Sequence, residues 1–274
     1  MSQKPIKAYK NLDFLAGREA RGIRILSEYL EPQSRFQRYR VRDTIVFFGS
    51  ARLLASEDAV SALEAARAGG EPQAIEEADR SVAMSRYYED ARTLARRLTE
   101  WSKGLQDPGR RFIVCSGGGP GIMEAANRGA SEASGLSIGL GISLPVEPSG
   151  NSYVTRELAF EFHYFFMRKF WFAYLSKAMV VFPGGFGTFD ELFELLTLVQ
   201  TRKVSKPLPI VLYGSSFWDD VVRFDKLVKW GVIGRNDLDL FHRSDDPEDA
   251  FEFLTSRLTS MYLDQPDEDG RAAP

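Results

Sequence analysis

The sequence predicts an α/β protein: a doubly wound, Rossmann-like, largely parallel sheet with helices on both faces and a helical N-terminal extension. Three observations carry this. Apolar runs at residues 44–48, 111–115 and 178–182 and short strand-like stretches at 137–142 and 208–213 recur along the chain, and such runs suit strands buried on both faces. Segments with helical spacing of apolar residues separate most of them, and that alternation is the signature of parallel strands joined by crossover helices. Two of the strand-to-helix joints are rich in glycine, which is where open α/β sheets collect ligands.

Residues 1–40 carry apolar side chains at helical spacing (Leu12, Leu15, then Ile23, Ile25, Leu26 and Leu30) and read as a helical extension that ends near Glu31-Pro32, because proline breaks the helical ladder. A single Rossmann-like domain is expected over 41–264, followed by a mobile polar tail at 265–274. The run at 44–48 ends in Gly49-Ser50-Ala51-Arg52. At the end of a central strand, Gly49 and Ser50 are candidates for ligand contact; an ordinary turn is the other reading. Residues 56–103 are rich in Ala, Glu and Arg and are interrupted by Gly69-Gly70-Glu71-Pro72. They predict two helices, the second with a core stripe of Ala91, Leu94, Leu98 and Trp101.

The strand at 111–115 runs into Ser116-Gly117-Gly118-Gly119-Pro120-Gly121 and then a helix from Ile122. This is no phosphate loop of the Gly-Lys-Ser/Thr type, and Ile122 stands where the dinucleotide fingerprint needs its third glycine. Gly118 and Gly119 are candidate binding residues, although glycines here equally serve close helix–strand packing. Cys115 reads as a buried core thiol. A strand at 137–142 and a polar loop at 145–155, placed to cover a site, lead into a helix predicted over 158–176. That helix carries Arg168 and Lys169 among aromatic residues. The two cations either snorkel from a half-buried helix or face an anion. Beyond the strand at 208–213, helices are expected over 218–230 and 247–262.

The stretch Pro183-Gly184-Gly185-Phe186-Gly187-Thr188-Phe189-Asp190-Glu191 follows the strand at 178–182 and opens a helix with Leu192, Leu195, Leu196 and Val199 at helical spacing. Glycines admit close backbone approach, and the N–H groups and dipole of the helix start favour an anion, typically a phosphate. Thr188 and Glu191 stand three apart, which is also the spacing of a capping box. Two glycine turns at strand ends of one sheet converge on one crevice.

Composition narrows the function classes. The 274 residues, 44% apolar, are ordinary for a globular chain with a substantial core. A formal charge of −3 and a pI near 5.6 argue against a nucleic-acid coat and leave a small anionic ligand compatible. One cysteine and two distant histidines, His163 and His242, offer neither a disulfide framework nor a metal cluster. No metal and no organic cofactor are expected. The chain has no run of apolar residues long enough for a membrane span and no secretory signal, so a cytoplasmic protein without nucleic-acid or membrane partners is expected.

Pro183-Gly184-Gly185-Phe186-Gly187-Thr188 with Glu191, and Met167-Arg168-Lys169 upstream, resemble the paired signatures of the LOG (Lonely Guy) family of nucleotide phosphoribohydrolases, formerly labelled as lysine decarboxylases. Residues 116–124 also match the glycine loop of its bacterial members, and the resemblance spans roughly 44–230. It implies metal- and cofactor-free hydrolysis of the N-glycosidic bond of a nucleoside 5′-monophosphate to free base and ribose 5-phosphate. Arg168 and Glu191 are then the catalytic pair, and Gly185, Gly187 and Thr188 hold the phosphate. Gly184, Gly49, Ser50, Gly118, Gly119, Phe165 and Lys169 complete the expected substrate contacts. Arg168 has three open roles: phosphate, ribose oxygens, or the departing base. Lys169 lies about 100° round the helix from Arg168, toward solvent or a subunit partner.

Compact plant-type members carry Met and His where this chain has Phe165 and Phe166, which points away from cytokinin nucleotides and toward AMP or a similar purine monophosphate. Aromatic side chains there can stack on a base. A second class of function, binding or carrying a phosphorylated nucleotide-like ligand such as molybdenum cofactor, also fits the fold. Decarboxylation fits poorly, since no pyridoxal-site pattern is evident. The aromatic helix around Arg168 and the family habit predict a homo-oligomer.

Overall fold

The computed structural model describes residues 5–107, 110–143 and 150–264. Seven parallel strands form one sheet in the order β4-β3-β2-β1-β5-β6-β7. They are β1 (Asp43–Phe48), β2 (Phe112–Ser116), β3 (Ser137–Ile142), β4 (Ala159–Phe162), β5 (Ser176–Val181), β6 (Ile210–Tyr213) and β7 (His242–Ser244). The chain builds outward from β1 in one direction and then returns to start the other half at β5. The topological switch point therefore lies between β1 and β5, where a doubly wound sheet opens a crevice beyond its strand ends.

Strand periodicity of two divides the central strands between two apolar cores. Val46 and Phe48 of β1, Met179 and Val181 of β5, and Ile210 and Leu212 of β6 face one core. Ile45 and Phe47, Ala178 and Val180, and Val211 and Tyr213 face the other. The first is covered by α2 (Arg21–Arg38), α6 (Phe165–Leu175), α7 (Phe186–Gln200), α8 (Ser215–Val221) and α9 (Phe224–Lys229), which supply Phe36, Trp171, Leu192, Trp218 and Phe224. The second is covered by α4 (Pro72–Gly104), α5 (Ile122–Glu132) and α10 (Pro247–Leu258) through Leu94, Ala125 and Leu254. Short α1 (Leu12–Ala16) precedes α2, and α3 (Ser56–Gly69) packs on α4 after the expected break at Gly70, which is left-handed. The stripe predicted for α4 holds: Ala91, Leu94 and Leu98 are buried and Trp101 half-buried.

Three expectations are corrected. The N-terminal helix does not end at Pro32 but runs on to Arg38, with Pro32 buried inside it. A mid-helix proline leaves the carbonyl four residues earlier without its N–H partner; here that carbonyl, on Glu28, accepts the indole N–H of Trp171 at 3.0 Å, so the break is repaired from outside the helix. The helix expected over 158–176 is split. Residues Ala159–Phe162 form the edge strand β4, with Phe160 and Phe162 buried and Ala159 and Glu161 exposed, and only Phe165–Leu175 are helical. The aromatic density of the segment masked a four-residue alternation. The helix expected over 218–230 is two, α8 and α9, separated at Val222-Arg223, where the backbone of Val222 is extended. β7 had no apolar run to announce it. The expected tail at 265–274 and residues 145–149 of the covering loop lie outside the described residues.

Among the described residues no helix is long and apolar enough to cross a membrane, and no group of three or more His, Cys, Asp or Glu is placed to hold a metal ion.

Candidate active site

Loops following β1, β2 and β5 are stitched together at the switch point. Phe182 N–H donates to the Phe48 carbonyl at 2.8 Å, Ser50 N–H to the Pro183 carbonyl at 3.0 Å, and Ile122 N–H to the Ser50 carbonyl at 3.0 Å. The convergence expected of the two glycine turns is therefore direct, with Ser50 as the link. Gly49 is required for packing: a Cβ there would stand 2.7 Å from the Ile122 side chain. Gly118 has φ +73°, and its carbonyl accepts Asn151 N–H at 2.7 Å and Asn151 Nδ2 at 3.0 Å.

That asparagine belongs to a network invisible from motif spacing. Asn151 Nδ2 also donates to the Gly119 carbonyl and to Asn127 Oδ1; Ser116 Oγ donates to Asn127 Oδ1 at 2.7 Å and accepts Gly118 N–H at 3.0 Å. Buried Asn127, on the apolar face of α5 beside Ala125, Ala126 and Ala130, was the available clue, because a fully buried amide demands partners. The network fixes the β2 loop from below and from the side.

The β5 loop is open where the β2 loop is filled. A Cβ on Gly185 or Gly187 would meet nothing within 4 Å, whereas one on Gly184 would stand 2.1 Å from Thr188 Oγ1. Gly184 thus lets Thr188 fold back under the turn, while Gly185 and Gly187 leave backbone accessible to a ligand. α7 starts at Phe186 with Gly185 as its N-cap and no side-chain cap, so its first N–H groups and its dipole face the opening.

The capping-box reading of Thr188 and Glu191 is excluded. Both lie inside α7, and Glu191 belongs to the second turn, only 5% exposed. Its carboxylate faces the cations of α6: Arg168 Nη2 lies 3.6 Å from Oε1, and Lys169 Nζ lies 3.3 Å from Oε2. Glu191 Oε1 is buried and, among the described residues, accepts no hydrogen bond. Burial raises its pKa above the usual carboxylate range, against the lowering by Lys169 and Arg168. The arrangement is a desolvated carboxylate with spare acceptor capacity beside a guanidinium.

Lys169 does not point to solvent. Its Nζ also reaches Glu194 Oε2 at 2.7 Å and Asp190 Oδ2 at 2.8 Å. Burial acts to lower its pKa, but Asp190 and Glu194 prevail and hold it raised, as an ammonium. The signal for this was the Asp190, Glu191, Glu194 spacing, which puts three carboxylates on adjoining positions of one helix. Phe165, half exposed, lies with its ring centroid 5.1 Å from the Arg168 guanidinium carbon, and Phe172 lies at 5.9 Å. Cys115 is buried in the strand, and burial pushes its thiol pKa up, so it is inert.

Fold and site together define a doubly wound α/β protein whose switch point joins an open glycine turn to a buried Glu–Arg pair. A family model described as possible lysine decarboxylase matches residues 123–254. The matched residues are similar to that family and include Arg168, the Gly184–Gly187 turn and Glu191, on which the sequence resemblance to the LOG family rests. Rice (Oryza sativa subsp. japonica) LOGL5, named a probable cytokinin riboside 5′-monophosphate phosphoribohydrolase, is 31% identical over 125 residues, 44% of this chain and 49% of the relative. Arabidopsis thaliana LOG4, named a cytokinin riboside 5′-monophosphate phosphoribohydrolase, is 28% identical over 127 residues, 45% of this chain and 57% of the relative. The chain thus spans about half the length of the curated relatives it matches. Among solved structures, the molybdenum cofactor binding protein of Rippkaea orientalis overlaps with a TM-score of 0.47 at 18% identity, over 80% of this chain and 99% of that one. An overlap this loose carries no argument about ligand.

Proposed function

We propose that this chain is a nucleoside 5′-monophosphate phosphoribohydrolase acting on AMP or a similar purine nucleotide. The observation that carries the proposal is the buried Glu191 carboxylate, 3.6 Å from Arg168 and with one oxygen that accepts no hydrogen bond among the described residues, on the helix whose open N-terminus carries Gly185 and Gly187. The names of the curated relatives support a 5′-monophosphate as the substrate class. Phe165 and Phe166 stand where compact plant-type members carry Met and His, which favours an unmodified purine over a cytokinin nucleotide.

In this reading the phosphate sits against the first N–H groups of α7 with Thr188 beside it, anchoring the ribose so that remote binding energy positions C1′. As the glycosidic bond breaks, its electron pair leaves with the base and positive charge grows on the ribose. Glu191 stabilises that charge in a site poor in water. Water then adds at C1′ and loses a proton, giving ribose 5-phosphate, while the base takes up a proton. Arg168 neutralises phosphate or ribose oxygens, or assists the departing base. The Phe165 ring beside it is placed to pack on a purine. Lys169, bound to three carboxylates, acts by holding Asp190, Glu191 and Glu194 in place; as a stable ammonium it is also a poor amine for the Schiff base that pyridoxal-dependent decarboxylation requires.

Incubation with AMP and a panel of other monophosphates is expected to yield free base and ribose 5-phosphate, resolved by chromatography. Tight nucleotide binding by calorimetry without base release over hours would instead identify a carrier of a phosphorylated ligand.

The reading also predicts a pH profile. Glu191 must be ionised, and its pKa is raised by burial, so kcat/KM should fall on the acid side at a pH above the ordinary Glu value. An acid limb at the ordinary value or lower would show that the ionised group is not this one. A homo-oligomer is part of the same proposal, because Phe165, Phe166 and Tyr174 of α6 are 49%, 54% and 46% exposed and large apolar side chains clustered at the surface mark interfaces. Light scattering at micromolar concentration should give at least twice the monomer mass; a monomer would refute it.

A further inference from the structure

We propose that Glu28, on the N-terminal helix α2, is a positioning residue for the Arg168 side of the site; this rests on the hydrolase reading above. One residue ties α6 at two places. Its carboxylate accepts the His163 N–H at 2.8 Å and the Tyr164 N–H at 3.2 Å, the two backbone donors immediately ahead of α6. Its main-chain carbonyl accepts the Trp171 indole N–H at 3.0 Å. Pro32, four residues on, has no N–H to offer that carbonyl, so the Trp171 indole supplies the donor that the helix lacks there.

Arg168 lies between the two ties, one turn from Tyr164, to whose carbonyl its own N–H donates at 3.3 Å. α6 provides no side-chain cap of its own at Tyr164. Trp171 is 1% exposed and packs against Tyr29 and Phe36 of α2, with ring centroids 5.6 and 5.1 Å apart. The contacts therefore resist both rotation of α6 about its axis and sliding along it. Those are the two motions that would carry the Arg168 guanidinium away from Glu191, a gap already at 3.6 Å. The other end of α6 is held by Lys206 Nζ, which donates to the Ala173 and Tyr174 carbonyls at 2.7 Å each. A helix clamped at entrance, middle and exit is a rigid platform for a side chain that must meet a reacting group, and small misplacements of such a group are costly in rate.

The test is steady-state kinetics of base release from AMP for Glu28→Ala, Glu28→Gln and Trp171→Phe, with hydrogen exchange on each protein. Glu28→Ala is expected to lower kcat about 10- to 100-fold with KM changed by less than about threefold, since the phosphate turn is untouched. Glu28→Gln, which keeps one acceptor oxygen, should restore part of the loss. Trp171→Phe removes the indole N–H together with part of the ring that packs on Tyr29 and Phe36, so it should lower kcat in the same sense. Exchange should quicken at the Arg168 and Lys169 amides while the β1 and β5 amides stay protected. A kcat for Glu28→Ala within about threefold of wild type, or a loss matched by faster exchange through the whole sheet, overturns the proposal. If the wild type releases no base, the hydrolase reading falls by itself. The exchange pattern then decides: quickening confined to α6 supports the clamp, and unchanged α6 exchange overturns it.

Discussion

Glu191→Gln is expected to lower base release from AMP by about 10²- to 10³-fold, the scale of losing one preorganised electrostatic group at a reacting centre, while folding at least as stably as wild type at neutral pH. The two halves have one cause. Burial raises the pKa of Glu191 despite Lys169 and Arg168, so the folded chain holds its proton more tightly than the unfolded chain does. Wild-type stability then falls as pH rises from the unfolded value through the folded one, and above that the cost of burying the charge is complete. Gln never carries that cost. Thermal unfolding should therefore show the variant equal to or above wild type at pH 7, with the difference vanishing on acidification below both values. A site that sacrifices stability for function behaves this way. Wild-type turnover in the variant would remove Glu191 from the chemistry, and a large destabilisation would show that its ion pairs outweigh its burial.

Gly121→Ala is expected to destabilise the fold by roughly 3 kcal/mol or more and to abolish turnover. Gly121 has φ +68° and ψ −132°, a region closed to side chains at about 1–3 kcal/mol. A Cβ would also stand 2.2 Å from the Ser50 carbonyl oxygen and within 2.8 Å of Ala51 backbone. Ser50 cannot yield without cost, because its carbonyl accepts Ile122 N–H and its own N–H donates to the Pro183 carbonyl. Displacement would pass from the β2 loop through Ser50 to the β5 loop. Gly185→Ala is the counterpart: φ is −95° and nothing lies within 4 Å of the added carbon. Its unfolding midpoint in urea should match wild type while the KM for AMP rises. Equal stability of the two variants would show that the β1, β2 and β5 loops are not coupled as described.

Legibility of the molecule followed locality. The apolar runs of β1, β2, β3, β5 and β6 were readable because strands buried on both faces need no partner to declare themselves. β4 and β7 were not: β4 hides a period of two in an aromatic stretch, and β7 is three residues, His242–Ser244, at a sheet edge. Gly49, Ser50, Gly118, Gly119, Gly184, Gly185, Gly187 and Thr188 were legible as turn residues, but their motif could not separate glycines that pack, such as Gly49 on Ile122, from glycines that leave space, such as Gly185 and Gly187. Arg168, Lys169 and Glu191 stood out by chemistry. Their partners Asp190 and Glu194, and Asn127 and Asn151 that brace the β2 loop, did not, since each matters only for what lies across from it.

By itself, then, the sequence determined the alternation of strand and helix, the two glycine turns at strand ends and the residues able to carry charge, because these depend on neighbours within one or two turns of chain. Only the tertiary structure decided that Glu191 is a buried carboxylate and not a helix cap, that Lys169 is held by three acids, and that α2 passes through Pro32 to grip α6. Each of those depends on groups that chain distance separates and folding brings within hydrogen-bonding or ion-pairing range, where burial and pairing, not local propensity, set what a side chain does.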